Sequence, residues 1–386
     1  MDKEQLRKHA IKLYLEGKSP SHISQRLNVS RAWFYKWLHR YQENPQKNWF
    51  VENSRKPKTI HKNISKETEQ TIINIRRRLE NTKYSQIGAI TIQWEFHRLG
   101  LKPPPIWTID RVIKKHGLTK KKEKTKKVVN EYPGYKYSLV HQIDLVGPRF
   151  IKNYGRFYCL NIIDIESHCA QVNPIKSKAS EYIVNSVIRF WQTFGIPDFI
   201  QMDNELSFRG SNRHPHSFGQ LIRFVLSQGV TPIFIPQAEP WRNGIIEKFN
   251  DTFDKKFFRA QSYKDLDDIR NKAIEFEKFH NNYYRYKANN NKVPIEVFNS
   301  DRPDIFLDID YTLPKFIPLI DGDIILIRLI RSDRKLNIFG ESFLVSKDLV
   351  YSYIEALISV KEQSLKVFRD NQLLEEFEYI MPVDWL

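Results

Sequence analysis

Cysteine is nearly absent. The 386 residues contain two, Cys159 and Cys169, with no CxxC or CxxC…HxxxH spacing anywhere. That argues against a disulfide framework and a structural zinc site, and both thiols read as small buried hydrophobes. Long apolar runs are missing as well: no stretch of eighteen apolar residues occurs, so no membrane span is expected. The first residues, MDKEQLRKHA, carry no apolar segment leading to a small-residue cleavage site, so export is not expected and the cytoplasm is the default. What remains is 41% hydrophobic and 28% charged, the make-up of soluble globular domains. The length exceeds what one hydrophobic core usually organises, so several domains are expected.

Acidic residues are scarce in one place. Residues 1–135 hold 30 Lys+Arg against 12 Asp+Glu, whereas residues 136–386 hold 32 against 33, so the whole net charge of +17 belongs to the N-terminal third. A solvated basic face is the plain alternative, but an excess this localised is the footprint of a polyanion partner, nucleic acid first.

Residues 1–44 read as three short helices. Leu6, Ala10, Ile11 and Leu13 mark the first, Ile23 and Leu27 the second, and Phe34, Trp37, Leu38 and Tyr41 the third. Ser19 and Ser30 stand where N-caps belong. This is a helix-turn-helix pattern whose third helix would enter the major groove. With Phe34, Trp37 and Leu38 inward, Arg31, Ala32, Tyr35 and Lys36 face out, and Arg31, Tyr35, Lys36 and Arg40 are the expected DNA contacts. Residues 45–64, with Pro45 and Pro57, read as a linker. A second basic helical domain over 65–118 follows, in which Lys114 and Lys115 are further expected contacts. Its stretch GAITIQWEFHRLGLKPPPIWTIDRVIKKHGL resembles the second helix-turn-helix of insertion-sequence transposases. Residues 119–134 contain KKKEKTKK, either a solvated linker or a phosphate-tracking one through Lys121 and Lys122.

Over 135–300 strands alternate with helices: SLVHQIDLV, RFYCLNIIDI, CAQVNPI, DFIQMD and TPIFIP against ASEYIVNSVIRFWQTFG, SFGQLIRFVLSQG and NGIIEKFNDTFDKKFFRA. Such alternation is an α/β layer architecture. Asp144 lies inside the first strand, Asp203 ends the fourth, and Glu247 opens a helix whose apolar stripe is Ile246, Phe249, Phe253 and Phe257, so the three carboxylates can meet at one sheet end. A carboxylate cluster suits two hard divalent ions and phosphoryl transfer. Asp164, Glu166, Glu205 and Glu239 read instead as solvated strand-end or loop acids.

The ordered set of an acid in HQIDLVGP, one in QMDNELSF and one in PQAEPWRNGIIEKFN resembles the DDE transposases and retroviral-integrase cores, here of the bacterial insertion-sequence kind, over nearly the whole chain. The resemblance implies a ribonuclease-H-like core, Asp144, Asp203 and Glu247 as catalytic residues and ligands of Mg²⁺ or Mn²⁺, two ions in number, and Trp241, Arg242 and Asn243 as contacts at the rim. It implies double-stranded DNA partners (element ends and target), a homo-oligomeric synaptic complex, and prokaryotic residence on DNA. Two departures stand out: 43 residues separate Asp203 from Glu247, more than relatives usually carry, the excess falling in the loop RGSNRHPHSFG with His214 and His216; and Asp251 and Asp254 occupy positions where relatives carry cations. Residues 315–386 alternate in short strands, and a small β-barrel is expected. The function expected is a DNA transposase that hydrolyses a phosphodiester and transfers the 3′-OH to a target; the alternative is a catalytically idle, transposase-derived DNA-binding repressor.

Overall fold

A computed structural model describes residues 2–52, 64–119, 139–211, 213, 216–301 and 303–382. It divides into two compact units, residues 1–65 and 66–386.

The first unit holds α1 (Lys3–Leu15), α2 (Pro20–Arg26) and α3 (Arg31–Glu43). The Ser19 hydroxyl accepts from the His22 amide at 3.3 Å and that of Ser30 from Trp33 at 3.1 Å, so both expected caps are present. Ala10, Ile11, Leu13, Ile23, Phe34 and Leu38 form its core. Residues 45–52 do not leave as a linker: Trp49 packs on that core, and Arg7 donates to the Phe50 carbonyl at 2.6 Å and to Glu52 at 3.0 Å. The Arg7 guanidinium lies 4.0 Å over the ring of Trp37, which lets a cation sit against a buried indole.

The second unit opens with α4 (Lys66–Asn81), α5 (Ala89–Arg98) and α6 (Ile106–Lys115). Then come β1 (Val140–Ile151), β2 (Gly155–Asp164), β3 (Ala170–Ile175), α7 (Ser180–Phe194), β4 (Phe199–Met202), α8 (Leu206–Arg209), α9 (Gln220–Ser227) and β5 (Thr231–Phe234). A 3-10 turn (Pro240–Asn243) leads into α10 (Gly244–Thr252), which runs on as a π-helical turn (Phe253–Phe258), followed by α11 (Leu266–Tyr283) and α12 (Pro294–Ser300). The last segment carries β6 (Asp323–Leu329), β7 (Lys335–Ile338), β8 (Glu341–Leu344), β9 (Tyr353–Ser359), β10 (Ser364–Arg369) and β11 (Gln372–Glu378).

β1, β2 and β3 pair antiparallel, and β4 and β5 continue parallel from β1, in the element order expected of the core. Trp191, Phe190, Phe224 and Phe234 belong to one buried cluster that includes α7 and α9. Ile246, Phe249, Phe253 and Phe257, the stripe read from the sequence, belong to another with Phe276 of α11. Tyr84, from the connection after α4, is buried in that same cluster, and its carbonyl accepts from the Tyr284 hydroxyl at 2.7 Å. Residues 66–118 thus share a core with the sheet.

The expected C-terminal barrel is not formed: no closed barrel exists among the described residues. β6 pairs parallel with β5, and β9, β10 and β11 extend the same sheet, giving the order β11-β10-β9-β6-β5-β4-β1-β2-β3, with β7-β8 a separate hairpin. The reason is visible in DIILIRL. Ile324 to Arg328 are all buried, the pattern of a strand with neighbours on both sides and cover on both faces, which an alternating-strand reading treats as an edge.

Candidate active site and nucleic-acid interface

Side chains two apart on a strand share a face. Gln142 and Asp144 on β1, and Gln201 with Asp203 just past β4, therefore look the same way. Gln201 donates to the Arg242 carbonyl (3.1 Å) and to Asn243 Oδ1 (3.0 Å); Asn243 donates to the Ile143 carbonyl (3.1 Å); and Gln142 Oε1 accepts from the Ile246 amide (3.0 Å). These buried amides seat the start of α10 on the sheet. They leave Glu247 one residue beyond a backbone group that is already anchored.

One turn later Asn250 Nδ2 donates to Asp144 Oδ2 at 2.5 Å, and Asn161 Nδ2 donates to Asn250 Oδ1 at 2.7 Å. Asn161 faces Asp144 across the β1–β2 pair, so its amide holds Asn250 with the NH₂ toward the carboxylate. Apart from Asn243, which was expected at the rim, none of these amides was singled out in the sequence, although a glutamine two residues before an acid in an otherwise apolar strand was there to be seen at both places.

Asp203 Oδ1 accepts from the Glu205 amide at 2.9 Å. The Asp144 carboxyl is pushed up to about 6, first by burial and next by the charge of Asp203, with Glu247 adding to it; the Leu145 amide and Asn250 pull the other way. Asp203 is also raised, chiefly by burial. Asp144 thus lies within electrostatic reach of both Asp203 and Glu247. Among the described residues no three His, Cys, Asp or Glu side chains are drawn up as a metal cage. Carboxylates that repel have no reason to converge without a cation, and Asn250 occupies one Asp144 oxygen. The donors of Asp144, Asp203 and Glu247 are all carboxylate oxygens, the ligand type that a hard divalent cation takes.

A pH prediction follows. Asp144 binds its proton more tightly folded than unfolded, so its share of stability is full below about pH 4 and is lost as pH rises through 6. A rise from 3.8 to about 6 costs roughly 3 kcal/mol above pH 7. Asp144→Asn should therefore raise the melting temperature at pH 8 by a few degrees and leave it little changed at pH 4. Mn²⁺ should stabilise the parent more at pH 8 than at pH 5, because at the lower pH it displaces a proton. Equal Mn²⁺ shifts at both pH values, measured by calorimetry, would count against this.

The other acids are occupied elsewhere. Asp164 accepts from the Ser167 amide at 2.9 Å and caps its own loop. Asp254 pairs with Arg149 at 2.9 Å and Arg259 at 2.7 Å, and Asp251 with Lys248 and Lys255, so both helix acids have cations of their own. Glu205 pairs with Lys178 at 3.1 Å. His216 lies 2.6 Å from Glu341 and stacks on Tyr379; His214 lies outside the described residues.

Of the expected DNA contacts, Arg31, Tyr35 and Lys36 are exposed on α3. Lys36 already pairs with Glu52 at 2.8 Å, and Arg40 donates to the Val51 carbonyl at 3.2 Å. Lys114 is exposed and Lys115 pairs with Glu69 at 2.6 Å. Lys121 and Lys122 lie outside the described residues. At the rim Trp241 is 52% exposed. Arg242 and Asn243 do otherwise than expected: Asn243 is 3% exposed with its amide spent inside the protein, and Arg242 is bound to Glu239 (3.0 Å) and the Tyr353 hydroxyl (3.1 Å). Both hold the turn in place.

The chain matches the Homeodomain-like domain family over residues 1–48, and no curated protein matches it. Among solved structures, the magnesium-complexed HTLV-2 integrase catalytic core is similar at 16% identity and a TM-score of 0.32, over 41% of this chain and 95% of that one. The simian T-cell lymphotropic virus intasome is similar at 14% and 0.37, over 75% and 93%. The BIV integrase core is similar at 12% and 0.32, over 42% and 95%. Residues 1–48, which hold α1, α2 and α3, are thus similar to homeodomain-like domains.

Proposed function

We infer that this chain is a DNA strand-transfer enzyme of the transposase and integrase type, in which Asp144, Asp203 and Glu247 hold one or two magnesium or manganese ions. The reading is carried by geometry: Asp144 lies inside β1, Asp203 just past the parallel β4, and Glu247 in the first turn of the helix whose start Gln142, Gln201 and Asn243 fasten to those strands. Desolvation first, and then the charge of Asp203 and Glu247, raise the Asp144 carboxyl. Clustered, desolvated carboxylates are a cost that a purely DNA-binding protein has no use for, and they repel a phosphate unless a cation intervenes. When bound, the ions would neutralise charge on the attacking and leaving oxygens of an in-line phosphodiester displacement.

The chain's own residues do the positioning. β1 fixes Asp144 in the sheet, Asn250 orients its oxygens, and the Gln142, Gln201 and Asn243 amides seat the helix that presents Glu247. The exposed Trp241 offers an apolar plate beside the site, and the helical units before residue 119 supply the sequence-reading surface. Element ends and target duplex would be the substrates, joined in a complex of more than one copy.

The test uses a labelled duplex taken from the DNA that flanks the gene, with any inverted repeats found there. Mn²⁺- or Mg²⁺-dependent nicking followed by joining, absent with Asp203→Asn, is the expected result. End binding with no metal-dependent chemistry would instead return a repressor.

A further inference from the structure

The three segments that border the acids are all fastened to the C-terminal strands. Arg328 on β6 is 5% exposed and donates from Nη2 to Asn204 Oδ1 (2.7 Å), from Nη1 to the Ile235 carbonyl (3.1 Å) and from Nε to the Asn337 carbonyl (3.1 Å). Asn204, the residue after Asp203, donates in turn to the Ile235 carbonyl at 2.7 Å. On β9 the Tyr353 hydroxyl donates to Glu239 (2.8 Å) and accepts from Arg242 (3.1 Å), gripping the turn that leads into α10. The extra loop between Asp203 and α9 is held too: the ring of His216 stacks 4.0 Å from that of Tyr379, and His216 Nε2 meets Glu341 at 2.6 Å.

A buried guanidinium is costly to desolvate, and this one donates to an amide oxygen and a carbonyl on the connections after β4 and β5 and to a carbonyl of β7. A planar fork with several fixed donors suits the joining of two loops in one geometry, which a hydrophobic residue of similar volume does not provide. Tyr353 does the same at the other acid, since one hydroxyl serves both members of the Glu239–Arg242 pair.

We propose that Arg328 and Tyr353 are positioning residues, and that the C-terminal strands set the separation of Asp203 and Glu247 and hence the affinity for the divalent ion. This rests on the reading of the acid triad given above. Arg328 acts through Asn204, and Tyr353 through Arg242 and Asn243, which the sheet amides also hold. Neither touches the reacting atoms.

The test compares the full chain with Asn204→Ala, Arg328→Lys and Tyr353→Phe by two measurements. Backbone hydrogen exchange, without metal, should quicken roughly tenfold over 203–209 in Asn204→Ala and Arg328→Lys, and over 240–246 in Tyr353→Phe. Mn²⁺ titration followed by electron paramagnetic resonance should give roughly tenfold weaker binding in each, the scale of losing an outer partner of a metal ligand, with end-DNA binding unchanged. Asn204→Ala and Tyr353→Phe remove small groups, so they keep the test open if Arg328→Lys fails to fold. Unchanged exchange in the named segments overturns the bracing. Altered exchange with Mn²⁺ affinity equal to the parent's, where Asp203→Asn does weaken Mn²⁺, overturns the link to the ion. If Asp203→Asn binds Mn²⁺ as the parent does, the triad reading falls and exchange alone decides the bracing.

Discussion

Asp203→Asn should lower strand cleavage and joining by roughly 10³-fold or more while end-DNA affinity stays within about twofold, the scale of removing a preorganised charge at a phosphoryl-transfer site. The amide keeps the side-chain shape and can still accept from the Glu205 amide at 2.9 Å, so the loop should hold. What is lost is the anionic oxygen a hard cation needs. Glu247→Gln should behave alike. Asp144→Asn differs in one respect: Asn250 now donates to Asp144 Oδ2, so the substituted amide must present its oxygen there and aim its NH₂ into the site. Its activity should be no higher than that of Asp203→Asn, even though its fold is the more stable at pH 8. Asp164→Asn supplies the contrast, because three positions along β2 from Asn161 it caps a loop and should retain most activity. Near-parent joining by Glu247→Gln in the radiolabelled assay would remove the third ligand, and with it the triad.

The parts of this fold set by local rules were readable in the residues. Ser19 and Ser30 cap because a short hydroxyl before a helical run can reach the amide two or three positions on, and nothing distant decides it. The Phe249, Phe253 and Phe257 stripe needs only the helical period. The acid order followed from strand, strand end and helix start. What escaped was set by partners far along the chain. Arg328 meets Asn204 across 124 positions and Tyr353 meets Glu239 across 114, so no window of sequence holds both halves. The barrel expectation failed for the same reason: short alternating strands reveal their own pleat, but not that the open edge of β5 accepts β6. The long Asp203–Glu247 interval looked like spare loop, yet His216 docks it on Tyr379 and Glu341.

In the intact chain Arg31→Ala should weaken end-DNA binding more than Lys36→Ala, although both sit on the outward face of α3. Arg31 lies in the first turn of that helix, behind the Ser30 cap, where a side chain reaches the groove floor or the flanking phosphates. Lys36 holds a 2.8 Å ion pair with Glu52, which also takes Arg7 at 3.0 Å, so before it meets a phosphate it must leave a partner. An exposed pair of that kind is worth about 0–1 kcal/mol, enough to discount the lysine but not to silence it. If Arg31 contacts one phosphate, the slope of log affinity against log salt should fall by about 0.9 on its removal, equally for end and random duplex. If it reads a base edge, end affinity should drop by roughly 1–3 kcal/mol with the slope unchanged and the preference over random duplex reduced. Glu52→Gln completes the design: freeing Lys36 should tighten binding to both duplexes and steepen the slope. Fluorescence anisotropy across a salt series measures all three, and a Lys36→Ala loss equal to that of Arg31→Ala would show that Glu52 does not restrain the lysine.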